Sequence, residues 1–300
     1  MERYVIFDVG GTTVKHAIMN AEGVAIESSS YPTPAQGNDE IYELLLQLIN
    51  ESKRKYPVKG VALSIPGAVD INSGEVYYAG SVIDLMHSNV KEKLKETGLP
   101  IELENDANCV ALAENWKGNA VNTDNFVCIT LGTGIGGSIY LNGNLYRGKH
   151  GMAGEIGLML LHADSKTPEQ LLFEKYSFSR LGSTWNLEDR ISKKLERPLT
   201  GREIFALYEQ RDEGVTKEVE SFYHTLAIGT LNIIHVMAPE KILFGGGISS
   251  QHNFISKIKQ KISTIRPEAL ELTELDHCHF YNQSGQLGAL HHFLKQTNKC

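Results

Sequence analysis

No long apolar run interrupts this 300-residue chain. The least polar long stretch, Leu226 to Met237, is too short to cross a bilayer and contains Asn232 and His235, so no membrane partner is expected. The opening Met1-Glu2-Arg3-Tyr4 lacks a basic segment followed by an apolar one, so no signal peptide is expected. Cysteine is scarce: Cys109, Cys128, Cys278 and Cys300 lie far apart without metal-ligand spacing, which suits a reducing cytoplasm. Excess positive charge is missing too. With 29 Lys and Arg against 36 Asp and Glu, the net charge is −7, which leaves no electrostatic footprint for a nucleic acid partner. What remains is an ordinary globular composition, 41% hydrophobic and 22% charged, in a length that suits two packed domains.

Glycine gathers at strand ends. Tyr4 to Val9 reads as an apolar strand that runs through Asp8 into Gly10-Gly11-Thr12-Thr13, after which Lys15 to Met19 reads as a second strand. Glycines let backbone N–H groups turn toward one point and bind anions. Asp8 beside them would repel a bare phosphate, so the pairing suits a divalent cation between the two. The same letters also make a plain hairpin turn. The pattern recurs where the strand Asn125 to Leu131 enters Gly132-Thr133-Gly134-Ile135-Gly136-Gly137 and the strand Ser138 to Leu141 leaves it. A third glycine run, Gly245-Gly246-Gly247, follows the strand Lys241 to Phe244. Helical spacing marks Ile41 to Ile49, Ala107 to Trp116, Ser221 to Met237 and Gln286 to Gln296. A boundary is expected near Gly118, giving a first lobe of 1–118 plus the closing helix 286–300, and a second lobe of 119–285.

Three acids stand out. Glu104-Asn105-Asp106 leaves the strand Ile101 to Leu103 at the mouth of a helix. A carboxylate there is stabilised by the helix dipole, so Asp106 could accept a proton from a hydroxyl that is being phosphorylated. Asn and Asp are equally at home there as simple caps. Glu155, inside Gly151-Met152-Ala153-Gly154-Glu155-Ile156-Gly157, suits vicinal hydroxyls, because a carboxylate accepts from two O–H groups at once. Glu174 alone reads as an ordinary helix acid. His150 and His162 flank the Glu155 loop with no cysteine nearby and read as surface residues.

In their order, Asp8-Val9-Gly10-Gly11-Thr12, Glu104-Asn105-Asp106-Ala107-Asn108, the Gly132 to Gly137 turn, Ala153-Gly154-Glu155-Ile156-Gly157 and Gly245-Gly246-Gly247-Ile248 resemble the ROK family of repressors and sugar kinases. The likeness continues to Gly285-Gln286-Leu287-Gly288-Ala289. It implies an α/β protein of two ribonuclease-H-like (actin/hexokinase-type) lobes with an active-site cleft between them. It also implies transfer of the ATP γ-phosphate to a sugar hydroxyl, usually the 6-hydroxyl, in the cytoplasm, by an enzyme that is commonly a homodimer. Carried over by position, Asp106 matches the catalytic base, and Asn105, Glu155 and Glu174 match sugar-binding residues. Asp8, Gly10, Gly11, Thr12, Lys15, Thr133, Gly134, Gly246 and Gly247 match the ATP-binding segments, with Asp8 serving Mg²⁺ directly or through water.

Two departures bear on the sugar. Most members follow the Gly-Glu-Ile-Gly stretch with a His and then a cysteine cluster that binds structural zinc. Here Leu158 replaces the His, and Leu160 to Phe173 contains no cysteine, so no structural zinc is expected. Packing through Leu160, Leu161, Leu171 and Phe173 is expected to hold the loop instead. Where many members place an Asn beside the sugar, this chain reads Ala79-Gly80-Ser81-Val82-Ile83-Asp84. Zinc-free relatives include kinases proposed for β-glucosides, N-acetylmannosamine or fructose. A sugar-responsive regulator and a non-catalytic sugar sensor are the competing readings. The regulator lacks the basic footprint, and the sensor would not need Asp8, Asp106 and three glycine turns.

Overall fold

The computed structural model describes residues 2–297. Cys300 and the end of the closing segment lie outside them. The chain divides into two units. The first holds the chain up to Val121, Arg147–Ala153, and the chain from Asn282 onward; the second holds Asn122–Tyr146 and Gly154–Tyr281.

The first unit is built on a five-stranded sheet. Its strands are β1 (Arg3–Val9), β2 (Thr13–Asn20), β3 (Ala25–Pro32), β4 (Val58–Ile65) and, after a small antiparallel sheet of β5 (Ala68–Val69), β6 (Glu75–Tyr78) and β7 (Ser88–Asn89), β8 (Ile101–Asn105). The order is β3-β2-β1-β4-β8, with β1 to β3 an antiparallel meander and β4 and β8 parallel to β1. Parallel strands need a crossover, and the helix Glu40–Lys55 provides the one from β3 to β4. It buries Ile41, Leu45, Leu48 and Ile49 in a core with Val5, Phe7, Val61 and Leu63. The helices Asp106–Lys117 and Ser284–Gln296 pack together so closely that a Cβ at Gly288 would lie 1.8 Å from the Cys109 carbonyl oxygen. Glycine at 60 makes room in the same way, because a Cβ there would sit 2.1 Å from the Phe293 ring.

The second unit repeats this plan. Its strands are β9 (Phe126–Leu131), β10 (Ile135–Leu141), β11 (Asn144–Tyr146), β12 (Lys241–Gly245) and β13 (Glu274–His277), ordered β11-β10-β9-β12-β13. Here too an antiparallel meander of three strands is continued by two parallel ones. The core gathers Val127, Ile129, Phe222, Leu226 and Phe244. The helix expected from Ser221 begins earlier, at Glu213, because the Asp212 side chain caps it by accepting from the Val215 N–H. No helix of the described residues is long and apolar enough to cross a membrane.

The division also departs from the expected one within the second half. Residues 147–153 belong to the first unit, since Arg147 pairs with Glu104 and a Cβ on Gly151 would meet the Val69 carbonyl oxygen at 2.6 Å.

Candidate functional site

In both units the glycine turns leave the carboxyl ends of the sheet strands, which is where open α/β sheets bind ligands. In the first unit Asp8 is in register with Ser64 on β4, and Ser64 with Glu104 on β8. The acid of the first turn and the acid ahead of Asn105 thus lie on one row, with about 5 Å between neighbouring strands. Asp8 accepts from Ser64 Oγ at 2.8 Å and from Lys15 Nζ at 2.8 Å. Lys15 Nζ also donates to the Asn282 carbonyl at 3.0 Å. A Cβ at Gly285 would lie 2.5 Å from Asp8 Oδ1, so only glycine lets the closing helix start against this carboxylate.

The turn is a hairpin link: the Gly10 N–H donates to the Thr13 carbonyl at 2.9 Å, and Thr33 Oγ1 donates to the Gly10 carbonyl at 2.6 Å. Gly11 and Thr12 are exposed at its tip. Beside them Ser81 approaches Gly11 closely enough that a Cβ there would meet it at 3.0 Å. The Ser81 loop is itself pinned. Gln36 donates to the Ser81 carbonyl at 3.0 Å and accepts from the Ile83 N–H at 2.7 Å.

Asn105 caps the helix Asp106–Lys117 by accepting from the Asn108 N–H at 3.0 Å, which makes Asp106 its first helical residue. The exposed Asp106 accepts on Oδ1 from the Ala107 N–H at 2.8 Å and from Asn105 Nδ2 at 3.0 Å. Asn105 Nδ2 also donates to the Gly67 carbonyl at 2.9 Å. Behind this turn lies Glu104, 1% exposed, whose Oε2 receives Arg147 Nε at 2.8 Å and Arg147 Nη2 at 2.6 Å. Its Oε1 accepts from the Asn105 N–H at 3.0 Å and Asn108 Nδ2 at 2.9 Å. The sequence alone assigns Glu104 no part beyond its place in the motif and does not single out Arg147. The available signal was an acid at the apolar end of a buried strand, which requires a cation somewhere in the fold.

In the second unit the Gly132 turn and the Gly245 to Gly247 run also sit side by side, since Gly245 is paired with Thr130. Gly246 has φ +92°, and a Cβ there would lie 2.0 Å from the Leu131 carbonyl oxygen, so no other residue fits. Gly132, Thr133, Trp185, Arg202, Gly247 and Gln251 are among the residues around a cavity of about 400 Å³. Gly134 lies beside this wall with Ser179 Oγ 3.5 Å from where its Cβ would be. Trp185, half exposed, is the aromatic of that cavity and was not singled out in the sequence.

Glu155 is held over β10 by the glycines around it. A Cβ at Gly154 would meet the Gly137 carbonyl oxygen at 2.7 Å, and one at Gly157 the Ile135 carbonyl oxygen at 2.0 Å. Burial pushes the Glu155 carboxyl above the usual range. The following loop doubles back, with the Leu161 N–H donating to the Tyr176 carbonyl at 2.9 Å and the Phe178 N–H to the Met159 carbonyl at 2.8 Å. Glu174 lies exposed on the helix Glu169–Tyr176 within this excursion.

Packing is not what holds the loop, contrary to expectation. Leu160, Leu171 and Phe173 are exposed, and Leu161 alone of the four packs against the core. Asp164 organises it instead. Its carboxylate accepts from the Lys166 N–H at 3.0 Å, Thr167 Oγ1 at 3.0 Å and Tyr176 OH at 3.4 Å, and these bonds hold it below the usual carboxylate range, the Lys166 N–H contributing most. The His162 ring packs edge-on against Tyr176 at 4.8 Å. His150 contacts Tyr77 in the same manner at 4.7 Å.

Known proteins match over the whole length of this arrangement. The sequence profile of the ROK family matches residues 4–296. A protein of Listeria innocua serovar 6a named beta-glucoside kinase is 36% identical over 297 residues, 98% of each chain. Among solved structures, the Lmo2764 protein of Listeria monocytogenes, described as a candidate N-acetylmannosamine kinase, is 34% identical with a TM-score of 0.90, over 99% of this chain and all of that one. A ROK family protein from Streptococcus pneumoniae TIGR4, solved in complex with sucrose, is 29% identical with a TM-score of 0.86 over 99% of this chain and all of that one. With the duplicated sheets and the glycine turns at their carboxyl ends, the chain belongs to the ROK family.

Proposed function

We propose that this chain, an ATP-dependent sugar kinase, transfers the γ-phosphate to the 6-hydroxyl of a β-glucoside in the cytoplasm. The observation that carries the chemistry is Asp106: an exposed carboxylate fixed at the first turn of a helix by Asn105 and the Ala107 N–H. There it takes the proton of the attacking hydroxyl as the phosphate arrives. Asn105 and Glu155 hold sugar hydroxyls, and Glu174 is a further sugar-binding acid. The relative named beta-glucoside kinase supports the acceptor class. So do the exposed Leu158 and Leu160 after Glu155 and the exposed Phe173 on the helix Glu169–Tyr176, whose apolar faces suit the C–H face of a second ring or an aglycone.

ATP binds at the turn of Gly10, Gly11 and Thr12 in the first unit, through the backbone N–H groups of Gly11 and Thr12 at the tip that the Gly10–Thr13 bond closes. In the second it binds through Thr133 and Gly134, with the nucleoside in the cavity beside Gly246 and Gly247. Mg²⁺ on the phosphates would fit Asp8, a hard carboxylate near the end of the strand that enters the glycine turn, since this ion is commonly held by one carboxylate plus phosphates and water. The metal supplies neutralisation of phosphate charge. Lys15, already beside Asp8, adds a further positive charge to the same corner.

ADP release measured with cellobiose, gentiobiose, glucose, fructose, mannose and N-acetylmannosamine tests the acceptor; β-glucosides are expected to have the highest kcat/KM. Asp106→Asn tests the base. Calorimetry should find sugar binding nearly unchanged while turnover falls by about 10²–10⁴-fold. Near-normal turnover in that variant would refute the assignment, and preference for a monosaccharide would refute the substrate class.

A further inference from the structure

We infer that Arg147 is a positioning residue for the proton-accepting Asp106, acting through the buried carboxylate of Glu104. The inference rests on the reading of Asp106 given above and concerns a residue 43 positions along the chain from Glu104. Glu104 is fully engaged on both oxygens. Arg147 occupies Oε2 with two nitrogens, at 2.8 and 2.6 Å, while Oε1 receives the backbone N–H of Asn105 and the side-chain amide of Asn108. Those two donors belong to the turn that displays Asp106. Asn105 continues the chain of bonds, since its amide donates to Asp106 Oδ1. A rotation of the Glu104 carboxylate would therefore be passed to Asn105 and on to Asp106.

A planar guanidinium is suited to oppose that rotation, because two of its N–H groups converge on Oε2 from fixed directions while Oε1 is held by Asn105 and Asn108. The other basic groups near Glu104 do not share the task. His292 Nδ1 is 3.8 Å from Glu104 Oε2, too far for a hydrogen bond, and its burial keeps the ring neutral at pH 7. Lys91 is committed to Glu102 at 2.9 Å. Arg147 is itself anchored, since its carbonyl accepts from the Ala153 N–H at 3.0 Å and closes the segment 147–153 on itself. Ala153 stands two residues ahead of Glu155 in the chain.

Steady-state kinetics of Arg147→Lys and Arg147→Met, with sugar and Mg-ATP each varied, test the inference, and melting curves show which variants are folded. Arg147→Met should lower kcat by about 10²-fold, the loss that follows misplacing a reacting group by about 1 Å. The KM for ATP should stay within about twofold, since no nucleotide-binding segment is touched. Because Met leaves a buried carboxylate without its cation, that variant could fail to fold, and Arg147→Lys then decides. The ammonium keeps the charge but loses the fork, so kcat should fall by roughly tenfold with unchanged ATP KM. Wild-type kcat in folded Arg147→Lys would overturn the inference, as would an equal rise in ATP KM. Asp106→Asn is assayed alongside. If it retains turnover, the assignment of the base has failed; if it is inactive while Arg147→Lys is normal, only the role of Arg147 has failed.

Discussion

His291 and His292 should make the first unit lose stability between pH 7 and pH 5. Both lie on the closing helix, 6% and 2% exposed, with His291 stacked on Trp116 at 4.9 Å and 12°. His291 Nδ1 and His292 Nε2 have no hydrogen-bond partner. Burial dominates and pushes each ring down from 6.5 to about 4. In the unfolded chain each ring takes its proton near pH 6.5, while the folded unit refuses it until about pH 4. Stability is therefore fully present above the unfolded value, falls as pH drops through this window, and levels off below it. The whole difference is worth about 3 kcal/mol per histidine, of which about 2 kcal/mol is lost by pH 5. The neighbouring rings repel each other when charged, so about 4 kcal/mol is the ceiling for the pair. Urea unfolding at pH 7 and pH 5, followed by Trp116 fluorescence in a Trp185→Phe background, measures this. His291→Phe keeps a ring against Trp116 but cannot titrate, so the loss should shrink by about half. An unfolding free energy that is flat between the two pH values would refute the reasoning. So would a pH dependence that His291→Phe leaves unchanged.

Two further outcomes are expected. Since burial raises the Glu155 carboxyl, sugar KM should climb on the acid side at a higher pH than an ordinary carboxylate would produce, by about tenfold per pH unit, and ATP KM should not follow. A sugar KM that stays flat as pH falls to the ordinary carboxylate range would rule out Glu155 as an ionised sugar ligand. Asp164→Ala removes the shared acceptor of Lys166, Thr167 and Tyr176, so limited proteolysis between residues 160 and 176 should accelerate by roughly tenfold. Unchanged cleavage would mean that the backbone pairing of 159–161 with 176–178 suffices.

Much of the fold could be read from the sequence because its strongest patterns are local. Alternation and glycine punctuation placed β1, β2, β9 and β10, and 3.6-residue spacing placed the helix over Ile41 to Ile49. The duplicated strand–turn–strand was visible for the same reason. β3 was not anticipated: its burial alternates only between half-buried and exposed, and Glu27, Ser28, Ser29 and Ser30 carry no apolar signal. The helices between 178 and 209 also escaped, since short amphipathic pieces offer few repeats to count. The return of residues 147–153 to the first unit was not legible. It depends on a bond between Arg147 and a glutamate 43 positions away.

The candidate site shows why glycine alone was an ambiguous letter. Read as turns, the glycines of the three runs looked alike; in the fold they answer to different neighbours. Gly246 combines a positive φ with a carbonyl oxygen 2.0 Å from its missing Cβ, so it is fixed by backbone on both counts. Gly154 and Gly157 let the Glu155 loop lie against β10, which is a packing requirement expressed at the strand leaving a glycine turn. Gly285, outside all three runs, admits the Asp8 carboxylate to the start of the closing helix. The close approaches at Gly154, Gly157 and Gly285 bring a carboxylate, or the backbone beside one, to a fixed place with no side chain intervening. Substituting alanine at Gly285 would therefore displace Asp8 itself, whereas Gly247, whose Cβ would meet nothing within 4 Å, has room for one. The glycines that matter most to the acids are those whose missing Cβ is already occupied by a neighbour, and that is a property of the folded chain alone.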